Sequence, residues 1–361
     1  MNKHIIGVTG TDGKTSLSHL LAQSLTYLGR SVGIISSEGN GIYPHLKKNM
    51  YTTSPAHILF EYFHEFTKKN VDIIVIECSS QGLDQNRLNN IKFHESIVTN
   101  ITNDHLDYHK TLTRYMMSKA KLLKMTSNKI YLNKACSSTK RIIKMFKTKA
   151  QVIYYGLDDR ICFKTLNLQE NIPTRYNLSL IKLVLKNMLF NESRIYEVFK
   201  KLKPIIGRNN YFVTEKNINF YVDYAHTSNS FQSLLEGVKN RHRGSAFNII
   251  VVFGCGGDRD IAKRSLMGRI AEKYSSMIIL TDDNPRNENP EKIINDISLG
   301  IEDQSKIIII SNRKEAIKKA ITIAQKNDVI VLAGKGNEDD IIYDTNVIKH
   351  NDLKYLRSLL K

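Results

Sequence analysis

Tryptophan is absent from this 361-residue chain, cysteine occurs only four times, and no apolar run approaches the ~18 residues that a membrane-spanning helix needs. Cys78, Cys136, Cys162 and Cys255 are scattered with neither metal-ligand nor redox spacing, which excludes a disulfide scaffold and suits a reducing compartment. A basic lead, apolar core and small-residue cleavage site are missing from the first residues, so no secretory leader is read and the expected setting is cytoplasmic, with no membrane partner. Internal repeats, low-complexity tracts and a linker rich in Pro, Gly or Ser are missing too. Acidic residues are in short supply: 35 Asp and Glu against 53 Lys and Arg give a net charge of +18. The lysines are nevertheless spread along the chain, and the richest stretch, residues 110–149, reads as solvated helix faces. The charge is therefore read as attraction for ATP and other anionic small molecules, with no nucleic-acid partner.

The length has room for two domains with their own cores, and a 41% hydrophobic, 24% charged composition is that of an ordinary globular protein. Apolar β-rich runs alternate with helical patterns, which predicts parallel sheets flanked by helices. Strands are expected over His4–Thr9, Ser31–Ile35, Val71–Ile76, Ser96–Thr99 and Lys129–Leu132, with helices over Pro55–Lys69 and Thr111–Lys124. A second alternation follows Gly207, with strands near Phe220–Val222, Phe247–Phe253, Met277–Thr281, Lys306–Ile310 and Val329–Ala333. The expected domains are residues 1–207, binding ATP, and residues 208–361, binding an amino acid.

The most informative segment comes straight after the first strand: Gly10-Thr11-Asp12-Gly13-Lys14-Thr15, leading into a helix with Leu17, Leu20, Leu21, Leu25 and Leu28 on one face. A glycine-rich turn feeding a helix N-terminus presents free N–H groups and the positive end of the helix dipole, which favour a polyphosphate. Lys14 then serves the β- and γ-phosphates and the Thr15 hydroxyl serves Mg²⁺, although Val8 stands where the general pattern has glycine. Such a turn is often only a tight turn; strand, Gly-Lys-Thr and amphipathic helix together argue for phosphate. Glu77 ends a buried-type strand, where open α/β sheets place functional groups, though alone it reads equally as an exposed strand end. Asp104-His105-Leu106-Asp107-Tyr108-His109 comes after another strand, and its clustering points to a Mg²⁺ or phosphate role for His105.

The phosphate loop, Tyr51-Thr52-Thr53-Ser54-Pro55, Glu77-Cys78-Ser79-Ser80, the Asp104–His109 cluster and Asp223-Tyr224-Ala225-His226-Thr227 occur in the order seen in Mur ligases, which this chain resembles. The resemblance extends through Phe253–Asp260, Thr281–Arg286 and Ala333–Glu338, which are similar to family members that add a diamino acid. It implies a P-loop central domain followed by a Rossmann-like C-terminal domain, and an ATP- and Mg²⁺-dependent ligase that forms an acyl phosphate and then an amide. It further implies that Gly10–Thr15, Asn177, Arg208 and Asp223 bind the nucleotide. Thr15, Glu77, His105 and a carbamylated Lys119 support metal ions. Lys14, Lys119, Arg208 and His226 are the implied catalytic groups. Thr52, Thr53, Ser79, Gln85 and Arg87 are placed at the acceptor, and Arg259, Asp283, Asn284, Arg286, Gly334 and Glu338 at a diaminopimelate-like amino acid. Arginine facing a carboxylate, and acids and amides facing an ammonium, make that last set chemically sensible.

The chain departs from the family pattern in several places. Only three residues precede the first expected strand, where Mur ligases carry a domain for the UDP part of the acceptor. The expectation is a carboxylate or peptide acceptor without UDP, or a separate acceptor-binding protein. Residues 154–205 form a shorter segment than in the family, and Leu180 stands where a second adenine-side asparagine is usual. Two rivals remain: a ligase of specialised metabolism using another amino acid or peptide, and a nucleotide-binding subunit without ligation. Retention of Glu77, His105 and Lys119 favours an enzyme.

Overall fold

The computed structural model describes residues 3–49, 51–166, 168, 170–244 and 246–360. The chain divides into two compact units, Met1–Leu168 with Pro173–Lys203, and Gln169–Ile172 with Pro204–Lys361.

The first unit is built on eight strands: β1 (His4–Thr9), β2 (Val32–Ser36), β3 (Gly39–Ile42), β4 (His45–Lys47), β5 (Ile73–Glu77), β6 (Phe93–Val98), β7 (Thr126–Asn133) and β8 (Gln151–Tyr155). Their order is β4-β3-β2-β5-β1-β6-β7-β8. All pairings are parallel except the β2–β3–β4 edge. Central strands such as Ile73–Glu77 are buried throughout, as expected of a parallel sheet covered on both faces by helices. The chain leaves β1 towards β2 and leaves β6 towards β7, so its direction reverses between two neighbouring strands. A crevice beyond their carboxyl ends is where such sheets bind ligands. Register sets Val8 beside Glu77 and Thr9 beside Val98, so the loop after β1 emerges between these two ends.

The helix Lys14–Tyr27 buries Leu17, Leu20, Leu21 and Leu25. It ends where Gly29, at φ +85°, lets the Arg30 N–H turn back to the Leu25 carbonyl at 3.0 Å.

The second unit has β9 (Asn210–Val213), β10 (Asn219–Asp223), β11 (Ile249–Phe253), β12 (Met277–Leu280), β13 (Ile307–Ile309) and β14 (Val329–Ala333), ordered β13-β12-β11-β14-β10-β9. A small hairpin, β15 (Asp340–Ile342) and β16 (Val347–Lys349), stands apart from the main sheet. Period-two alternation divides β14 between two cores. Val329, Val331 and Ala333 pack with the helices Ser228–Arg241, Ala262–Tyr274 and Pro290–Ser298, whereas Ile330 and Leu332 pack with Arg313–Ile323 and Asp352–Leu359. The loops after β10, β11, β12 and β14 therefore leave the carboxyl edge of one sheet.

The expected strands are present, with ends shifted by a few residues. The hairpin β3–β4, the edge strands β8 and β9, and β15–β16 lay outside the expectation; β3 is half glycine, and the edge pieces are short and partly exposed. Among the described residues no helix is long and apolar enough to cross a membrane.

Candidate active site

The loop after β1 is shaped by a close approach. Gly10 sits at φ +151°, and a Cβ there would lie 1.8 Å from Thr99 Oγ1, so any other residue would be strained and would have to displace the Thr99 side chain just past β6. Asn100 completes the anchorage: its carbonyl accepts the Thr11 N–H at 2.8 Å and its side-chain oxygen accepts the Asp12 N–H at 2.9 Å. Tyr115 OH lies 3.0 Å from Thr11 Oγ1, tying the loop to the helix Leu112–Lys124.

Two lysines converge on one carbonyl. Lys14 Nζ donates to Gly10 O at 3.1 Å and to Thr11 O at 2.8 Å, and Lys119 Nζ donates to Gly10 O at 2.7 Å. Lys119 is only 1% exposed, with its amine 4.4 Å from the centre of the Tyr115 ring. Burial, and then the charge of Lys14, push its amine well below the usual lysine range.

Glu77 belongs to this loop rather than to solvent. It is 2% exposed, and Oε1 accepts the Thr15 hydroxyl at 2.9 Å, while Oε2 accepts the Ser37 N–H at 3.1 Å and its hydroxyl at 3.2 Å. Ser37 also lies 3.0 Å from Thr15 Oγ1. A hydroxyl and a carboxylate beside a phosphate loop are hard oxygen donors that fit Mg²⁺, which completes its shell with waters and phosphate oxygens. Among the described residues no three His, Cys, Asp or Glu side chains group as a metal site by themselves.

His105 holds a left-handed backbone at φ +53°. Its Nδ1 accepts from the Gln81 amide at 3.1 Å, which places the proton on Nε2, 3.4 Å from Asp104. Burial, reinforced by Lys14 and Lys119 against Asp104, lowers its pKa to about 4, so the ring is neutral. Asn177 is buried, with Oδ1 3.9 Å from where a Cβ on Gly13 would sit, whereas Leu180 turns into the core.

The candidate acceptor residues form a connected group. Thr53 Oγ1 donates to the Glu77 carbonyl and accepts the Ser79 N–H, both at 2.8 Å, and Thr52 occupies the bend just before it. Arg87 donates to Thr53 O at 2.7 Å and to Gln85 Oε1 through Nε and Nη2, with its guanidinium 5.5 Å from the centre of the Tyr51 ring. Much of the expected carboxylate fork is thus engaged by the chain itself.

In the second unit the carboxyl ends of β10, β11, β12 and β14 carry the remaining candidates. After β10, Asp223 accepts the Asn209 and Ala225 N–H groups, and burial raises its carboxyl despite Arg208. Arg208 stacks 4.0 Å over Tyr224. His226 Nδ1 lies 2.9 Å from the Tyr224 carbonyl, which can only accept, so Nδ1 carries the proton and Nε2 is the accepting nitrogen.

After β11 and β12, Arg286 donates to Gly257 O at 2.8 Å and to Asn284 O at 3.3 Å from a left-handed backbone at φ +54°. Burial and the charge of the neighbouring Arg259 lower its pKa against the opposing charges of Asp283 and Glu338. Beneath them Arg264, fully buried, holds Glu288, Asp296 and the Gly256 carbonyl, and Glu288 in turn accepts the Asp258 N–H.

Gly334, after β14, sits at φ +102°, and a Cβ there would lie 2.4 Å from Asp283 Oδ2. Asn284 Nδ2 donates to Glu338 Oε2 at 2.9 Å, closing a group of Asp283, Asn284 and Glu338. Ser37, Tyr115 and Lys335, which joins that last group, are functional neighbours that sequence reasoning missed. Ser37 carries a findable signal, a hydroxyl just past the carboxyl end of a strand; the other two speak only through the fold.

Residues 8–210 match the Mur ligase middle domain, and residues 207–336 match the Mur ligase, glutamate ligase domain. The chain is 35% identical to a UDP-N-acetylmuramoyl-L-alanyl-D-glutamate–2,6-diaminopimelate ligase of Wigglesworthia glossinidia brevipalpis, over 99% of this chain and 77% of that protein. It is also 35% identical to a similarly named ligase 1 of Clostridium acetobutylicum, over 99% and 78%. A solved structure of a ligase of the same name superposes with a TM-score of 0.63 at 29% identity, covering 100% of this chain and 78% of that one. A Mycobacterium tuberculosis folylpolyglutamate synthase complexed with ADP reaches a TM-score of 0.75 at 16% identity, over 92% and 88%, a likeness of fold.

Proposed function

The chain belongs to the Mur ligase family and is an ADP-forming carboxylate–amine ligase, and from that premise we propose that it joins a diaminopimelate-like amino acid to a carboxylate that ATP has activated as an acyl phosphate. The observation that carries the choice of amino acid is the charge pattern at one sheet edge of the second unit. There two guanidiniums, Arg259 and Arg286, accompany two carboxylates, Asp283 and Glu338, as a side chain ending in both a carboxylate and an ammonium requires.

An acceptor carboxylate oxygen attacks the γ-phosphorus of ATP and ADP leaves. The amine then attacks the acyl carbon, loses a proton and expels phosphate to leave the amide. Positioning and electrostatics supply most of the catalysis in phosphoryl transfer. Lys14 and the N–H groups of Gly13, Lys14 and Thr15 hold the phosphates, with Asn177 on the nucleotide side, and in the second unit Arg208, Asp223 and His226 serve the nucleotide. Thr15 and Glu77, with His105, would hold Mg²⁺, which supplies charge neutralisation on the phosphates. Thr52, Thr53, Ser79, Gln85 and Arg87 take the reacting end of the acceptor.

Lys119 is suited to carbamylation. Burial favours the uncharged amine, whose lone pair attacks carbon dioxide; an N–C bond forms, a proton leaves, and the side chain becomes an anion beside the phosphate loop. The finer reading of the acceptor is a carboxylic acid without UDP. It asks of this site only that a carboxylate meet the Ser79 hydroxyl and the Arg87 protons that Thr53 and Gln85 leave over. ATP use sets the reaction in the cytoplasm.

ADP release over an amino-acid panel, with UDP-muramoyl-dipeptide and with stripped dipeptide acids, tests all of this. Turnover with a non-nucleotide acid, unaffected by micromolar UDP, is expected; turnover with the UDP-linked acceptor alone overturns the finer reading. Loss of a charge-assisted contact costs ~1.5–3 kcal/mol, so Arg286→Ala should weaken a dicarboxylic diamino acid about ten- to a hundredfold and lysine little. A wild type that prefers lysine overturns the amino-acid assignment.

A further inference from the structure

The group formed by Asp283, Asn284 and Glu338 has a member that cannot touch substrate. Lys335 is 0% exposed. Its Nζ donates to Asn284 Oδ1 at 3.0 Å, to Glu338 Oε2 at 2.7 Å and to the Asp340 carbonyl, which uses all three of its protons, and it lies 3.8 Å from Asp283 Oδ1. We propose that Lys335 is a positioning residue whose buried ammonium orients Asn284 and Glu338 towards the amino-acid substrate and trims the charge of that pocket to match a single substrate ammonium.

The orientation comes from the donors. Asn284 Oδ1 accepts from both Lys335 and the Ile342 N–H at 3.0 Å, so the amide nitrogen is committed to the opposite side, where it donates to Glu338 Oε2. Rotating that amide would put its nitrogen against two donors. Glu338 is fixed from two directions by Lys335 and Asn284, while the Asp340 carbonyl anchors Lys335 itself to the strand β15.

The charge balance is a matter of arithmetic. With Arg259 and Arg286 assigned to the substrate carboxylate, and Arg313 and Asp352 beside Asp283 cancelling one another as a pair, the ammonium end has two negative charges from Asp283 and Glu338 and one positive from Lys335, leaving one negative in excess. Burial raises the Asp283 carboxyl, with Lys335 opposing; burial acts the same way on Glu338, but Lys335 and Asn284 prevail and hold it below the usual range. Without Lys335 the charge that holds the Glu338 carboxyl down is gone, so Glu338 takes up its proton at higher pH and the pocket loses its affinity for a cation earlier as pH falls.

The inference rests on the amino-acid assignment made above, so the wild type is measured first. Saturable ADP release with a diamino acid keeps that assignment, whereas release with neutral amino acids alone removes it and the Lys335 role with it. In the full chain, Lys335→Met should raise the amino-acid KM at least tenfold, leave the ATP KM within twofold, and move the acid limb of the amino-acid KM profile to higher pH. Equal movement of both KM values, or an unmoved acid limb, overturns the proposal.

Should Lys335→Met fail to fold, Glu338→Gln is compared with Lys335→Met/Glu338→Gln. The single variant leaves a neutral pocket and the double variant restores one negative charge. The proposal therefore expects the double variant to bind the amino acid several-fold more tightly than the single one. A merely structural Lys335 predicts weaker binding, and that result overturns the proposal.

Discussion

The phosphate-loop end of the first unit and the carboxyl edge of the second are made of different materials. Around the loop the partners are mostly backbone and hydroxyl: Gly10 O and Thr11 O meet Lys14 and Lys119, Asn100 O meets the loop N–H, and Thr15 and Ser37 meet Glu77. In the second unit the candidate residues rest on ion pairs whose cations are fully buried. Arg264 is held by Glu288 and Asp296, Arg313 by Asp352, and Lys335 by Glu338. A polyphosphate is recognised by backbone shape, which a short contiguous segment can set. An amino-acid side chain is recognised by charges, and charges withdrawn from water need partners that distant parts of the chain supply.

Breaking one such pair gives the largest expected effect. Arg313 and Asp352 are both fully buried, joined through Nε at 2.8 Å and Nη2 at 2.7 Å, and Arg313 also caps the Ala333 carbonyl just before Gly334. Removing one partner of a buried pair strands the other charge, so Arg313→Met should cost ~3–5 kcal/mol. At a few degrees per kcal/mol this lowers Tm by roughly 10 °C. Hydrogen exchange should place the loss in residues 204–360 and leave residues 3–166 protected. Uniform loss would erase the contrast between the units.

Lys119→Ala is the matching test in the first unit, with a different outcome expected. Its amine bonds a carbonyl and faces a ring, so deletion leaves no stranded opposite charge and the fold should hold. Removing a preorganised electrostatic group from a site of this kind typically costs on the order of a hundredfold in turnover. Melting curves and ADP release measure the two halves separately. A carbon-13 carbamate signal after incubation with labelled bicarbonate should appear in wild type and vanish in the variant; full turnover in Lys119→Ala would remove the lysine from the reaction.

The same difference in materials decided what the sequence made legible. Gly10–Thr15 is contiguous, and its strand and helix carry strong periodicities, so loop and fold class could be read directly. Glu77 and the Asp104–His109 cluster could be placed because functional groups gather after strands. Arg259, Asp283, Asn284, Arg286 and Glu338 came into view through ordered motifs of the family, not from composition. What stayed hidden was long-range: Asp352 lies 39 residues beyond its partner Arg313, and Arg264 meets Glu288 and Asp296 from 24 and 32 residues away. Lys335 stands inside one of those motifs, but a lysine there carries no mark of burial until β14, Asn284 and Asp340 are in place. The hairpin β3–β4 escaped the sequence reading because glycine is a poor strand former and only its pairing with β2 makes it one.

Acid sharpens the comparison with the smallest effect. Burial lowers His4 and His105 in the first unit from 6.5 to about 4. A histidine held neutral in the fold takes up its proton only on unfolding, so stability is lost as pH falls from 6.5 towards 4. His105 alone accounts for about 1 kcal/mol at pH 5.5. The second unit runs the other way. Burial raises the Asp223, Asp282 and Asp283 carboxyls, so protonation relieves a cost of folding. Burial also works against the Asp352 carboxylate, but Arg313 and His350 hold it far below the usual range, so its contribution persists until pH falls below the ordinary carboxylate value. His242 in the second unit and Glu95 in the first oppose these trends, as do the lowered carboxyls of Glu272, Glu288, Asp303 and Glu338 in the second unit, whose contribution is lost only below the ordinary carboxylate value. Hydrogen exchange at pH 7 and pH 5.5 should therefore show protection falling in residues 3–166 before residues 204–360. His105→Gln, neutral at both values, should remove much of the first unit's drop. An equal drop in both units would mean that charges withdrawn from water do not set the two apart.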